Sequence, residues 1–557
     1  MPRIPRLEAV RAASVTVRAA TVRFVDVTIL DSVDLTISPG DRIGVVAPNG
    51  TGKSTLLRVV AGRQPLDSGT RRGAPPDAIV GLLDQEHERR ASETVRGFLE
   101  RRTGVAAAQA ELVAATEALA ATVPGADERY VDALDRWMSL GAADFATRAA
   151  ERWDDLGLPQ HLLELGTAAL SGGQMARASL AAVLLSRFDV LLLDEPTNDL
   201  DFDGLARLES FVTDAPIGMV IVSHDRAFLE RTVTSVAEID EHSHRLTRYD
   251  GGWLAYLSER AVARRHAEEA HDEYTTRRDQ LTDRIRTQRQ WAVQGVARAK
   301  RKPRDHDKAQ QDFFTNRTEK QAAKVQQSEK ALARLDVVDK PWEGWELRFE
   351  IADAPRSGAV TFRLRGAVAE RGEFRLGPVD LEIGWGERVA VTGPNGSGKS
   401  TLLSVLLNRQ PLTSGERWVG PAVVVGEVDQ TRRSFEPGSA AVSLLDAFMR
   451  ATAIPTPNEA RTILAKFGLS ASHVRRSLAR VSPGERTRAA LAVLQARGVN
   501  CLVLDEPTNH LDLPAIEQLE AALASFTGTL VLVSHDRRLL DAVPVDRTLR
   551  LDGGQVT

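Results

Sequence analysis

Gly393-Pro394-Asn395-Gly396-Ser397-Gly398-Lys399-Ser400-Thr401 follows the apolar run Arg388-Val389-Ala390-Val391. A buried strand, a glycine-rich loop, Lys-Ser and then a helix is the order of a phosphate-binding P-loop. Backbone N–H groups around Asn395, Gly396, Gly398 and Thr401 and the helix N-terminus would cradle phosphates, Lys399 would neutralise the outer ones, and the Ser400 hydroxyl would hold Mg²⁺. An earlier stretch repeats the pattern: Arg42 to Val46, then Ala47-Pro48-Asn49-Gly50-Thr51-Gly52-Lys53-Ser54-Thr55, then the helix-like Leu56 to Ala61. The same roles fall on Asn49, Gly50, Gly52, Lys53, Ser54 and Thr55. Ala47 replaces the first glycine, which is tolerable only where the backbone needs no positive φ.

The repeat extends outward from the two loops. Lys53 to Lys399 is an offset of 346 and Gln85 to Gln430 one of 345, while Ser171 to Ser482, Glu195 to Glu506 and His224 to His535 share 311. The first copy therefore carries a net 34 extra residues between its glutamine and its serine motif. The Ala-rich segment about 101–140 is where they are expected, as a helical hairpin turned near Pro124-Gly125. It reads equally as a surface hairpin or as a docking element.

Leu191-Leu192-Leu193-Asp194-Glu195 and Leu502-Val503-Leu504-Asp505-Glu506 are apolar runs ending in two acids. That pattern suits a central parallel strand whose C-terminal end meets a ligand. Asp194 and Asp505 would coordinate Mg²⁺, joined in the candidate metal set by Ser54, Ser400, Gln85 and Gln430. Glu195 and Glu506 would orient or deprotonate an attacking water. His224 and His535 follow apolar runs at equivalent positions, which favours a functional role for both. Phe24, 29 residues before Lys53, could stack on adenine or pack in a core; at offset 346 its counterpart is Glu370.

Trp253 to Lys340 is the long stretch without a second copy. Trp253 to Gln290 lacks proline and glycine and is rich in helix formers, and Asp305 to Val338 reads likewise. Gly295 and Pro303 are expected to break the helix between them, giving a hairpin whose arms each reach ~50 Å. From Arg284 to Arg304 there is no acidic residue, and Trp291, Arg298, Lys300, Arg301, Lys302 and Arg304 gather near the turn. Such a tip suits a polyanion, with Trp291 on a base; the plainer reading is a solvated helix face.

The 557 residues are enough for two or three domains, read as 1–252, 253–340 and 341–557. The net charge of -4 confines nucleic-acid contact to a local surface. One cysteine, Cys501, excludes a disulfide framework and a multi-cysteine metal site, and fits a reducing cytoplasm. Neither a signal-peptide core nor an apolar run of ~18 residues is found, so no membrane span is expected. The fold class expected is α/β: two P-loop domains in tandem joined by a long α-helical hairpin linker.

Leu170-Ser171-Gly172-Gly173-Gln174, Asp194-Glu195-Pro196-Thr197-Asn198-Asp199-Leu200-Asp201 and Ser223-His224-Asp225 resemble an ATP-binding-cassette ATPase. So do Val481-Ser482-Pro483-Gly484-Glu485, Asp505-Glu506-Pro507-Thr508-Asn509-His510-Leu511-Asp512 and Ser534-His535-Asp536. Pro483 departs from the usual glycine. The resemblance implies two ATP molecules sandwiched between the cassettes. Ser482, Gly484 and Glu485 would complete the site at Lys53, and Ser171, Gly173 and Gln174 the site at Lys399. It also implies that His224 and His535 contact the γ-phosphate.

Paired cassettes without membrane spans, a charged helical linker, an insertion in the first cassette and a doubled Glu-Pro-Thr-Asn-x-Leu-Asp resemble the ABC-F family of ribosome-associated translation factors. Its members imply a cytoplasmic monomer with intramolecular cassette pairing. The ATP-closed form would bind the ribosome, with the linker reaching P-site tRNA and rRNA of the peptidyl-transferase region and the insertion meeting ribosomal protein and RNA. Antibiotic protection is the first reading within that family, and housekeeping regulation or rescue of stalled translation the second. A transporter ATPase borrowing membrane subunits, or a DNA-repair ATPase, are the readings from other classes. Replacing Arg298, Lys300, Arg301 and Lys302 by Ala is expected to weaken ribosome-dependent function while leaving basal ATP binding intact. Paired ribosome-binding and nucleotide-binding titrations check this, and equal loss of both would make the tip structural.

Overall fold

The apolar run at Leu191 is divided between two cores: Val190 and Leu192 pack into one, Leu191 and Leu193 into the other. A strand buried on both faces needs such an uninterrupted run, because successive side chains point to opposite faces. A computed structural model of the chain describes residues 12–300 and 358–557, except 26, 84–89, 91, 187, 199, 242, 373, 429–434, 436–441, 482 and 510; within 301–357 it describes only 326, 327 and 330.

In the first cassette β1 (Ser14–Phe24), β2 (Val27–Ile37), β3 (Arg42–Val46), β4 (Ser68–Ala74) and β5 (Val80–Leu83) precede β6 (Val190–Asp194), β7 (Gly218–Val222), β8 (Ser235–Ile239) and β9 (Leu246–Asp250). They form an antiparallel sheet of order β2-β1-β4 and a six-stranded sheet of order β5-β6-β7-β3-β8-β9. In the larger sheet only the last pairing is antiparallel. The second cassette repeats this with β10 (Val360–Arg371), β11 (Phe374–Gly384), β12 (Arg388–Thr392), β13 (Ser414–Val419), β14 (Val425–Gly426), β15 (Cys501–Asp505), β16 (Thr529–Val533), β17 (Arg547–Asp552) and β18 (Gln555–Val556). Its orders are β11-β10-β13 and β14-β15-β16-β12-β17-β18. The P-loop strand β3 or β12 is therefore flanked by two parallel strands in each sheet, and the acids stand at the ends of β6 and β15, the strands next but one to it. Cys501 lies in the core between these sheets, where burial pushes its thiol well above the ordinary range.

Backbone bridges locate the insertion. Thr94 pairs with Gly166 and Ser443 with Ser477, so the first loop encloses 38 more residues than the second. The helices Val105–Ala120 and Ala126–Ser139 have no counterpart among the described residues of the second cassette. They are tied by Arg129 to Glu111 at 2.8 Å and by the Trp137 indole donating to Gln109 at 2.6 Å. The offset of 34 hid four of these residues, because the second cassette carries four extra ahead of Ser443.

By contact the chain divides into one compact unit, Met1–Leu254 with Glu346–Thr557, and a second, Ala255–Trp345. The long helix Trp253–Lys300 supplies nearly all of the described part of the second unit. It runs through Gly295, which does not break it as expected: a single helical glycine costs only ~1 kcal/mol, and Ala292, Ala297 and Ala299 surround it. Pro303 and all of the expected return arm but 326, 327 and 330 lie outside the described residues, as do Arg301, Lys302 and Arg304; Trp291, Arg298 and Lys300 are on the helix, with their side chains undescribed.

The substitution at Ala47 is resolved by backbone geometry. Gly393 has φ 148°, and a Cβ there would stand 2.1 Å from the Leu551 carbonyl oxygen. Ala47 is absent from the residues with positive φ. Gly393→Ala is accordingly expected to destabilise the chain by about 1–3 kcal/mol, whereas Ala47→Gly should change it by no more than about 1 kcal/mol. Thermal unfolding midpoints check the contrast; equal shifts would contradict it.

Candidate functional site

Each P-loop turns through two left-handed glycines, Gly50 (φ 87°) and Gly52 (φ 107°) in one, Gly396 (φ 82°) and Gly398 (φ 106°) in the other. Cβ atoms on Gly50 and Gly396 would meet nothing within 4 Å, so that part of each loop faces open space. At Gly52 a Cβ would approach Ile29 Cγ2 to 2.6 Å, and at Gly398 the Phe374 ring to 2.6 Å, which presses the loop onto its own antiparallel sheet. The helices Lys53–Val60 and Lys399–Leu406 start directly from these glycines, with Ser54 and Thr55, or Ser400 and Thr401, in the first turn. Lys53 Nζ donates to the Ala47 carbonyl at 2.8 Å and Lys399 Nζ to the Gly393 carbonyl at 2.8 Å. Burial lowers the pKa of both lysines, opposed by the nearby Glu195 and Glu506 carboxylates respectively.

The acids stand in the same arrangement twice. Glu195 (φ 49°) and Glu506 (φ 44°) occupy the left-handed region that non-glycine residues seldom adopt, held there by backbone bonds to Val222 and Val533 at 2.9 Å. Their Oε2 atoms accept the backbone N–H of His224 at 3.3 Å and of His535 at 3.2 Å. Their Oε1 atoms are buried without a hydrogen-bond partner, as are both ring nitrogens of His535 and Nδ1 of His224. Burial drives the glutamates up, Glu195 to about 7 and Glu506 to about 8. It drives the histidines down, His224 to about 3 and His535 to about 4. The contacts His224 Nε2–Glu195 at 3.2 Å and His535 Nε2–Glu506 at 3.5 Å are therefore contacts of a neutral imidazole, not ion pairs.

The two cassettes meet at these loops. Asp201 accepts the Asn395 N–H of the other cassette at 3.0 Å through Oδ2 and caps its own helix Phe202–Asp214 by accepting from Gly204 through Oδ1 at 3.0 Å. Asp512 does the same toward Asn49 and Ala515, each at 3.2 Å. Burial raises the Asp201 pKa, but the amides of Asn395 and Gly204 hold it below the usual carboxylate range. Gly173 packs so closely on Asn395 that a Cβ would lie 2.4 Å from its side-chain Nδ2. A cavity of about 540 Å³ results; Ser171, Gly173, Lys399, Ser400, Glu506 and His535 all line it, and it reaches Glu195 and His224.

Several candidates fall elsewhere. Gln174 folds back to accept the Ser171 N–H at 2.9 Å in a capping box, and Glu485 faces Arg476 at 3.3 Å and His473 at 3.5 Å within its own cassette. Gln85, Gln430 and Ser482 lie outside the described residues; Gly484 is in the first turn of the helix Pro483–Ala496. Phe24 is 48% exposed at the end of β1, which rules out the core packing that was its alternative. It pairs with Val27, and the equivalent pair in the second cassette is Arg371 with Phe374, not Glu370. The β10–β11 hairpin is one residue shorter, so a fixed offset misplaces the equivalence. Arg371 and Phe374 line the cavity at Lys399 and were missed for that reason. Asp201 and Asp512 close the two Asp-Glu-Pro-Thr-Asn-x-Leu-Asp motifs, and their shared offset of 311 is the sequence signal for this role.

The donor set suits Mg²⁺. Ser400 Oγ donates to Asp505 Oδ2 at 2.8 Å, and this ion is typically held by one or two carboxylates plus phosphate oxygens and waters rather than by an all-protein cage.

A sequence profile described as "ABC transporter" matches residues 30–198 and 376–509. The tylosin resistance ATP-binding protein TlrC of Streptomyces fradiae is 34% identical over 545 residues, covering 95% of this chain and 95% of its own. The energy-dependent translational throttle protein EttA of Mycobacterium tuberculosis is 31% identical over 530 residues, covering 93% and 87%. ABC transporter F family member 5 of Arabidopsis thaliana is 29% identical over 547 residues, covering 95% and 73%. Among solved structures, an archaeal ribosome recycling factor in complex with an archaeal ribosomal stalk protein has a TM-score of 0.53 at 20% identity, covering 96% of this chain and 88% of that one, a likeness of fold.

The raised glutamates give a pH test with a definite sign. A protonated carboxyl cannot accept a proton from water, so kcat/KM for nucleotide hydrolysis, which reports groups of the free protein, is expected to fall as pH is lowered through about 8 to 7. A profile flat between pH 6 and 9 would remove both glutamates as bases.

Proposed function

Because the chain belongs to the ABC-F family of ATP-binding-cassette proteins, we propose that it hydrolyses ATP between its cassettes and binds the ribosome in the closed form. The observation that carries the hydrolysis is the unpartnered Glu506 Oε1 beside His535 in a cavity that also holds the other cassette's Ser171 and Gly173. Lys399 and the loop amides of Asn395, Gly396 and Gly398 bind the phosphates; Lys53 with Asn49, Gly50 and Gly52 is their counterpart. Phe24 in the first site, and Arg371 with Phe374 in the second, offer faces for adenine.

Glu506 accepts a proton from water as its oxygen attacks the γ-phosphorus, and the bond to the bridging oxygen breaks toward ADP. His535, being neutral, donates one ring N–H to a γ-phosphate oxygen. Glu195 and His224 act likewise in the first site, with Ser482 and Gly484 completing it. Ser54 with Asp194, and Ser400 with Asp505, would hold Mg²⁺, with Gln85 and Gln430 as further ligands; when bound, that ion neutralises charge between the outer phosphates. Desolvation is what makes this chemistry available: it raises the base toward neutral pH and keeps the imidazole uncharged.

The linker 253–340 then acts on P-site tRNA and the rRNA of the peptidyl-transferase region through its basic tip. Phosphate contacts position it and stacking by Trp291 adds preference. Protection against an antibiotic is the outcome favoured, supported by the 95% mutual coverage with a tylosin resistance protein. The likeness to a translational throttle protein supports the second reading, a housekeeping regulator. No described helix is long and apolar enough to cross a membrane.

Co-sedimentation of the Glu195→Gln, Glu506→Gln double variant with ribosomes tests the reading, because blocked hydrolysis should preserve the closed state. ATP-dependent retention is the expected result, and tylosin susceptibility of an expressing host is then the next measurement. No retention despite intact ATP binding would overturn it in favour of membrane or DNA partners.

A further inference from the structure

Of the ion pairs that bridge the cassettes, Arg538 with Glu230 among them, two form a pseudo-symmetric pattern. The helix Phe202–Asp214 presents Glu209 to Arg537 at 2.8 Å, and the helix Leu513–Ser525 presents Glu520 to Arg226. In both helices the acid lies seven residues after the first helical residue, which puts the two on one face, two turns apart. The acids and arginines are duplicated, but the first residues are not: Phe202 in one helix, Leu513 in the other.

Phe202 uses the difference. Its ring meets the His535 ring of the opposite cassette edge to face, with centroids 5.1 Å apart and planes at 75°. The Arg537 guanidinium lies 5.8 Å over the same ring. Phe202 and Glu209 therefore grip His535-Asp536-Arg537 at two points. Both His535 ring nitrogens lack hydrogen-bond partners, so the aromatic edge is a contact able to fix the plane of the imidazole. His224 is held differently, with its Nε2 3.2 Å from Lys53 of its own cassette, and Leu513 has no π-system to offer.

We propose that Phe202 is a positioning residue acting across the interface: it orients His535 and so ties hydrolysis at the Lys399 site to cassette closure, a constraint the Lys53 site lacks. Phe202 directly follows Asp201, whose carboxylate holds the Asn395 loop. Parting of the cassettes would withdraw the aromatic edge together with that carboxylate. His535 is then aligned only when the signature residues Ser171 and Gly173 are also in place. The inference rests on the hydrolysis reading above and makes the two sites unequal.

Single-turnover phosphate release at saturating ATP separates the sites: the Glu195→Gln chain retains the Glu506 site, and the Glu506→Gln chain the Glu195 site. Phe202→Leu copies the residue at the equivalent position, so the helix and its cap should persist. In the Glu195→Gln chain it is expected to slow release by a few-fold to about tenfold, with half-saturating ATP unchanged within about twofold and the rate recovered by Phe202→Tyr. In the Glu506→Gln chain the rate should not change. An unchanged rate in the first chain, equal slowing in both, or a parallel loss of ATP affinity would overturn the assignment. No phosphate release from the Glu195→Gln chain before Phe202 is altered would instead remove the hydrolysis reading, and the inference with it.

Discussion

One carboxylate used twice organises the interface. Asp201 caps a helix of its own cassette with one oxygen and receives the Asn395 amide of the other cassette with the second, and Asp512 mirrors it on Asn49. A cap fixes where the helix begins, so the same atoms that set the helix also set its distance from the opposite phosphate loop. Hydrogen bonds to a charged group are worth about 1.5–3 kcal/mol each. Two of them are enough to bias an equilibrium between closed and open cassettes, yet weak enough to be reversed by a ligand that binds the two forms unequally. The flanking pairs Arg537–Glu209 and Arg226–Glu520 repeat the logic farther along the same helices.

Burial has electrostatic consequences at the site. Enclosure drives the two glutamates toward neutral pKa values and the two histidines well below theirs. A carboxylate that titrates near neutrality and an uncharged imidazole are suited to moving a proton and to donating to an anion. Asp225 is likewise pushed up to about 6, first by burial and also by Asp536 of the opposite cassette.

Where sequence arithmetic failed, the cause was an unequal number of residues between equivalent points. The shorter β10–β11 hairpin moved the equivalent of Phe24 from Glu370 to Arg371 and hid Phe374. Four residues ahead of Ser443 concealed part of the insertion. Gly295 is a helix breaker by local rule, yet its neighbours carry the helix through it. In each case a local rule was applied without the pairing that constrains it.

The sequence by itself determined what is written in short-range pattern: the two P-loops, the apolar strands ending in acids, the repeat, and with them the α/β fold. Those elements depend on residues within one turn or one strand, where backbone conformation follows residue type. Only the tertiary structure decided which side chains from the two cassettes share a site. It brought Gly173 against Asn395, Asp201 onto the opposite loop and Phe202 onto His535. Residues 194 and 333 positions apart become neighbours through the packing of two cores, and no spacing rule carries that distance.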